Sequence, residues 1–285
     1  ITYFAWPYLW IDPFRNFYEA AQTMASFPFP LEVLFSGHYY AASDLPRIYF
    51  PQLLAFQFTL PALALALGGL AIIILKLVRK QVRSLELGLL LGWFFAPFSL
   101  ALIFQPPMYD NFRQFFFIIP PLFLLIGFCL EALIRVIPRK LVQLALLGLL
   151  IAPGIYWGAR LHPYEYTYYN MLTGGLAGAY RQYETDYWAT SFQEAVEYVN
   201  QVAPEGATIA VSLPAHIAVT YARPDLKVVY YFGSKFDPSI TADFAIAATR
   251  LDFDQQVYPE YEVVYQVRRG EAVFAVVKQP AAAQD

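Results

Sequence analysis

The stretch Gln105-Pro106-Pro107-Met108-Tyr109-Asp110-Asn111-Phe112-Arg113 sets a phenol, a carboxylate and a guanidinium within five positions. A guanidinium presents a planar fork that matches a pair of phosphate oxygens, and its long stem carries the charge out of an apolar layer. Arg113 is therefore a candidate for gripping a lipid phosphate, with Asp110 and Tyr109 shaping the loop around it. The same residues admit a plainer reading, an arginine snorkelling beside a loop aspartate. Two further polar clusters stand out. One runs from Ser36-Gly37-His38-Tyr39-Tyr40 through Asp44-Leu45-Pro46-Arg47, and the other is His162-Pro163-Tyr164-Glu165-Tyr166. If all three converge on one side of a membrane they favour a shared cleft, with Arg47, His38, His162 and Tyr164 at its mouth. A lone histidine at such a surface is more often a hydrogen-bonding group than a base or ligand.

The chain carries no glycine-rich phosphate loop after a strand, no metal-ligand spacing and no nucleophile elbow. No cofactor is identified, and participation of a divalent metal is left open. The single cysteine, Cys129, sits inside an apolar run and reads as a small buried hydrophobe.

The elements that must position these residues are set by hydropathy. Hydrophobic residues make up 58% of the chain and charged ones 14%, with mean hydropathy +0.43, so a bilayer is the expected solvent for part of it. Four stretches are long enough to cross a hydrocarbon core: Gln52–Leu77, Leu85–Phe104, Gln114–Ile134 and Leu141–Ala159. Lys76, Arg79, Lys80 and Arg83 crowd the first connection, and Arg135, Arg139 and Lys140 the third; the second holds one Arg and one Asp. By the positive-inside rule the first and third loops are cytoplasmic. The second loop, the segment Asp12–Tyr49 and everything after Arg160 then fall on the non-cytoplasmic side. Ile1–Pro7 reads as the last turns of a spanning helix that begins upstream. Prolines at 61, 97, 120, 121 and 153 are expected to kink the spans without breaking them.

Asp12-Pro13 opens a short helix, with Phe14, Phe17, Tyr18, Ala21, Met24 and Ala25 recurring at helical spacing. Two placements are open for it, flat in the membrane interface or packed on a soluble domain. Residues 1–161 are thus read as an α-helical polytopic membrane domain, and 162–285 as a small α/β soluble domain. In the latter Ser191-Phe192-Gln193-Glu194 predicts a capping box and a helix. Strands are expected at Thr208–Val211, Lys227–Tyr231 and Asp243–Ala247, and a hairpin at Glu262–Val267 and Ala272–Lys278. The tail after Pro280 is expected to be disordered.

At these clusters the chain resembles a known family. Gly37 to Tyr49, then Tyr109-Asp110-Asn111-Phe112-Arg113 leading into Phe115–Pro121, then His162–Tyr166 with Tyr169-Asn170 and Asp186-Tyr187-Trp188 follow one order. They look like bacterial multi-spanning glycosyltransferases of the family 39 type, related to protein mannosyltransferases and lipid A aminoarabinose transferases. This sequence has Asn111 and Gln114 where that pattern has Gly and His. The resemblance implies a GT-C-like membrane domain in the inner membrane, its C-terminal domain periplasmic or extracellular. It further implies transfer of a sugar from a polyprenyl-phosphate carrier to an acceptor glycan, lipid or protein on the non-cytoplasmic face. The general-base acid would lie in a loop upstream of Ile1. Membrane lipid and the carrier are the expected partners; the net charge of −3 offers no basic surface for nucleic acid. Two other classes compete: a secondary transporter, which favours charged or broken helices near the bilayer midplane, and a non-catalytic membrane subunit.

Overall fold

The computed structural model describes residues 2–25, 27, 29–80, 84–232 and 241–281. Arg83 of the first basic loop and the last four residues of the tail lie outside the described residues. The chain divides into two compact units, residues 1–33, 39–54 and 65–132, and residues 34–38, 55–64 and 133–285.

The first unit opens with a single turn, α1 (Thr2–Ala5), a 3-10 turn at Pro7–Leu9, and α2 (Pro13–Ala25). Asp12 caps α2 as its sequence requires: its side chain accepts from the Arg15 amide at 3.1 Å. Next along the chain is a hairpin, β1 (Glu32–Phe35) and β2 (His38–Ala41), which hydropathy patterning does not announce and whose residues 34–38 are counted with the second unit. Its two-residue turn, Ser36-Gly37, has positive φ at both positions (51° and 76°), which is the backbone twist that tight hairpins need.

The apolar helices come next: α3 (Tyr49–Gln57), α4 (Leu60–Val78), α5 (Ser84–Phe104) and α6 (Ile119–Val136), the last entered through a 3-10 stretch at Arg113–Ile118. The last of the long apolar helices is α7 (Lys140–Leu161), which belongs to the second unit. Among the described residues four segments are long and apolar enough to cross a bilayer: Leu60–Val78, Leu85–Phe104, Arg113–Val136 and Lys140–Leu161. The expected continuous span Gln52–Leu77 is corrected here: the helix breaks at Phe58-Thr59. Pro61 has no N–H to give the Gln57 carbonyl, and its ring crowds that oxygen, so α4 starts afresh. Pro97 and Pro153, by contrast, sit inside α5 and α7 without ending them.

Within the second unit the broken helix finds its partner. Asn170 Nδ2 donates to the carbonyls of Ala55 and Phe58, each at 2.7 Å, and the Asn170 amide donates to Phe56 O at 2.8 Å. Carbonyls freed by the break are thereby satisfied within the protein.

The rest of this unit holds α8 (Gly175–Ala179), α9 (Ser191–Val202), β3 (Thr208–Val211), α10 (His216–Tyr221), β4 (Lys227–Tyr230), β5 (Phe244–Ala248), α11 (Phe253–Gln256), β6 (Glu262–Arg269) and β7 (Ala272–Gln279). The strands form one mixed sheet in the order β4-β3-β5-β7-β6, parallel among β4, β3 and β5, antiparallel beyond. Side-chain alternation explains its two faces. Ile209, Val211, Phe244 and Ile246 join Phe192, Val196 and Val199 of α9 in one core; Ala210, Ala245 and Ala247 face Phe253 and Val257 in another. The capping box at Ser191 is also corrected. The Asp186 carboxylate takes the Thr190 and Ser191 amides at 3.0 and 3.1 Å, and Glu194 turns elsewhere.

Candidate functional site

In the first unit the loop from Gln105 to Arg113 is folded by its own short-range chemistry. Asp110 and Asn111 both take positive φ, 51° and 61°, a conformation that Asn and Asp tolerate best after Gly. Asn111 therefore fills a left-handed position without needing glycine. Tyr49 hydroxyl donates to the Asn111 carbonyl at 3.1 Å, the Met108 amide to Ala42 O at 3.1 Å, and Gln114 Nε2 to the Tyr109 carbonyl at 3.0 Å. Phe50 packs at once against Phe98, Phe112 and Phe115, anchoring the loop to the helices on either side.

That frame brings the three central residues together. Arg113 Nη2 lies 2.9 Å from Asp110 Oδ2, with the Asp110 side chain 6% exposed and that of Arg113 35%. The guanidinium carbon sits 5.2 Å from the centre of the Tyr109 ring. On the Tyr109 ring Phe29 stacks at 4.0 Å with nearly parallel planes, and Phe27 at 5.8 Å. The guanidinium is thus held by a buried carboxylate and by an aromatic ring, an arrangement that pre-orients a planar cation for an anion. Arg47 is exposed and donates from Nε to Gln105 Oε1 at 3.2 Å. It borders a shallow cleft with Ala42, Leu45, Ala101, Gln105 and Met108.

The remaining predicted residues belong to the second unit. His38 is exposed on β2. His162 is exposed just past α7, and its Nδ1 lies 2.7 Å from Glu165 Oε1, a bond that holds the Glu165 carboxyl below the usual carboxylate range. Tyr164 is 1% exposed and so lies in the core rather than at an opening. Its hydroxyl donates to Glu194 Oε2 at 2.9 Å, and Arg269 covers its ring at 4.5 Å while pairing with Glu194 at 3.2 Å. Burial, then the Glu194 carboxylate, push the Tyr164 phenol well above its ordinary range.

Several contributors escape sequence reasoning. Phe27 and Phe29 reach Tyr109 across eighty positions, for which no local signal exists. Glu184 and Arg250 form a buried ion pair at 3.0 Å, and Arg250 also donates to the Tyr187 carbonyl at 2.6 Å. Asp186, which caps α9 and accepts from the Tyr166 hydroxyl, is pushed up by burial against the pull of those hydrogen bonds. A carboxylate five residues ahead of a helix start is the one trace it leaves in the sequence. Among the described residues no group of three or more His, Cys, Asp and Glu side chains could hold a metal ion. Comparison with family models, with curated proteins and with solved structures gave no match to this chain.

Proposed function

We propose that this chain is part of a membrane glycosyltransferase that moves a sugar from a polyprenyl-phosphate carrier to an acceptor on the non-cytoplasmic face. The observation that carries the reading is Arg113, the first residue of a 24-residue apolar span, fixed by Asp110 and Tyr109. A cation at that boundary meets the depth at which a lipid phosphate sits. The motif order of the sequence supports the same reading, and the basic first and third loops support its sidedness.

In this reaction the acceptor hydroxyl attacks the anomeric carbon. The bond from that carbon to the phosphate oxygen breaks, the polyprenyl phosphate departs with the electron pair, and the hydroxyl proton passes to a general base. Arg113 stabilises the charge that grows on the departing phosphate. Asp110 orients Arg113 and tempers its charge, and Arg47 stands beside the cleft near Gln105.

The broken helix α3–α4 is the feature that favours a transporter. Two facts weigh against it. The residues after the break, Leu60–Val78, are long enough to cross the core alone, which puts the break at the end of a span and away from its middle. Its carbonyls are taken by Asn170 and do not line a path for an ion.

The test is a transfer assay on the protein in lipid with radiolabelled polyprenyl-phosphate sugars, comparing wild type with Arg113→Ala and Arg113→Lys. Loss of one good charge-assisted contact to the transition state is worth about 2–4 kcal/mol, so Arg113→Ala is expected to lose roughly a hundredfold in turnover or more. Lysine restores charge without the fork and should recover a part. Transfer unchanged in Arg113→Ala would leave the Asp110–Arg113 pair as a purely structural contact, and no transfer from any carrier would favour a non-catalytic subunit.

A further inference from the structure

Helix α2 is inverted relative to a helix of a water-soluble protein. Projected at about 100° per residue, Met24, Phe17, Ala21, Phe14 and Tyr18 share one contiguous arc, and Gln22, Arg15, Glu19, Thr23 and Asn16 the opposite one. Its contacts with the preceding turn are made from the polar side, where Arg15 itself stays 74% exposed. Asn16 Nδ2 donates to the Tyr8 carbonyl, the Tyr8 hydroxyl donates to Glu19 at 3.2 Å, and Arg15 pairs with Glu19 at 2.8 Å. The apolar side stands open, with Phe14 87%, Tyr18 67%, Met24 65% and Phe17 59% exposed. Just ahead of it Trp10 and Ile11 are exposed as well.

We infer that α2 lies flat in the membrane interface, its Phe14–Phe17–Tyr18–Met24 face among the acyl chains and its Arg15–Glu19 face among the headgroups. The occupant of the apolar face is the bilayer itself, on three grounds. The long apolar helices of the same unit expose Leu67, Leu89 and Phe123, so acyl chains are the solvent that unit already calls for. At 13 residues α2 is about 20 Å long, too short to cross a core of roughly 30 Å but long enough to lie in its boundary. Trp6, Tyr8 and Trp10 sit at its approach, rings of the kind that settle at headgroup depth. The Arg15–Glu19 pair cancels its own charge, so insertion rests on apolar burial and not on attraction to anionic lipid. None of this depends on the transferase reading.

The test is site-directed spin labelling of the full chain in phosphatidylcholine bilayers. In a Cys129→Ala background, Phe14→Cys, Arg15→Cys, Phe17→Cys, Tyr18→Cys and Gln22→Cys are labelled one at a time. Collisions with oxygen, which partitions into lipid, are compared with those of a water-soluble nickel chelate. Labels at 14, 17 and 18 are expected to favour oxygen and those at 15 and 22 nickel, and adding phosphatidylglycerol should leave the pattern unchanged. Nickel access at 14, 17 and 18 would overturn the inference, because the face would then be in water. Exclusion of both reagents there would overturn it too, since protein would be the cover. Sugar transfer takes no part in this readout, so the two proposals fail separately.

Discussion

Asn170 shows how much one side chain can carry in a chain whose helices are long and apolar enough to cross a membrane. It is 3% exposed, its amide nitrogen serves two carbonyls of the broken helix, and its amide oxygen accepts from the Leu172 amide at 2.8 Å. Removing those donors leaves two carbonyls without partners, each worth about 1–3 kcal/mol when buried. Asn170→Ala is therefore expected to lower the thermal midpoint of the detergent-solubilised protein by several degrees. Asn170→Asp should cost at least as much: it keeps the shape but sets a carboxylate oxygen against carbonyl oxygens. An Asp variant as stable as wild type would mean that the carbonyls at the break are served by something else. Arg113 invites the same scrutiny. It is both an ion-pair partner and the proposed phosphate contact, and only turnover set beside stability separates the two roles.

Among the elements, α4 and α6 approach each other through a small-residue gap. A Cβ at Gly69 would overlap the Leu125 backbone carbonyl, whereas one at Gly68 would meet the Cys129 sulfur at 2.7 Å. Backbone cannot step aside without moving a helix, but a thiol can rotate. Gly69→Ala is accordingly expected to cost about 1–3 kcal/mol of stability and Gly68→Ala less. Gly92→Ala on α5, with nothing within 4 Å of its would-be Cβ, should be neutral or mildly stabilising. Thermal unfolding of the three variants in one detergent gives the ranking; equal losses at 68 and 69 would show that α6 yields as readily as a side chain.

For the molecule as a whole, stability against pH reports a buried cation in the C-terminal sheet. Lys278 on β7 is 4% exposed, and its ammonium donates to the carbonyls of Val257 and Tyr258 at 2.8 and 3.1 Å. Burial holds its pKa below the ordinary 10.5, against the opposing pull of Asp254 and Glu260. Between the lowered folded value and 10.5 the unfolded chain binds more protons than the folded one, so this group's contribution to stability rises with pH across that window. The stability of wild type relative to Lys278→Met should therefore grow as pH climbs toward 10.5. Tyrosines whose burial raises their pKa act in the opposite sense, but they are common to both proteins and cancel in the difference. A difference that stays flat with pH would show that Lys278 titrates as it does in water.

Hydropathy and turn chemistry alone determined the spans at Leu85–Phe104 and beyond, the helix after Asp12-Pro13, and the strands and hairpin of the C-terminal sheet, most ends falling within a residue or two. Those features follow from local causes: a run too apolar for water, a cap that satisfies its own amides, and alternation at period two. The Tyr109–Asp110–Arg113 cluster was legible for the same reason, since its members lie within one turn of chain. Tertiary structure decided the rest. The carbonyls freed where the helix breaks at Phe58-Thr59 can be left open only because Asn170, more than a hundred residues away, takes them. Glu194, read as half of a capping box, turns instead to Tyr164 and Arg269, because Asp186 reaches the helix amides first. Phe29 covers Tyr109, Tyr164 sinks into the core, and the greasy side of α2 faces away from protein. Each of these turns on which distant group arrives to satisfy a polar atom or cover an apolar face, and residue spacing does not contain that information.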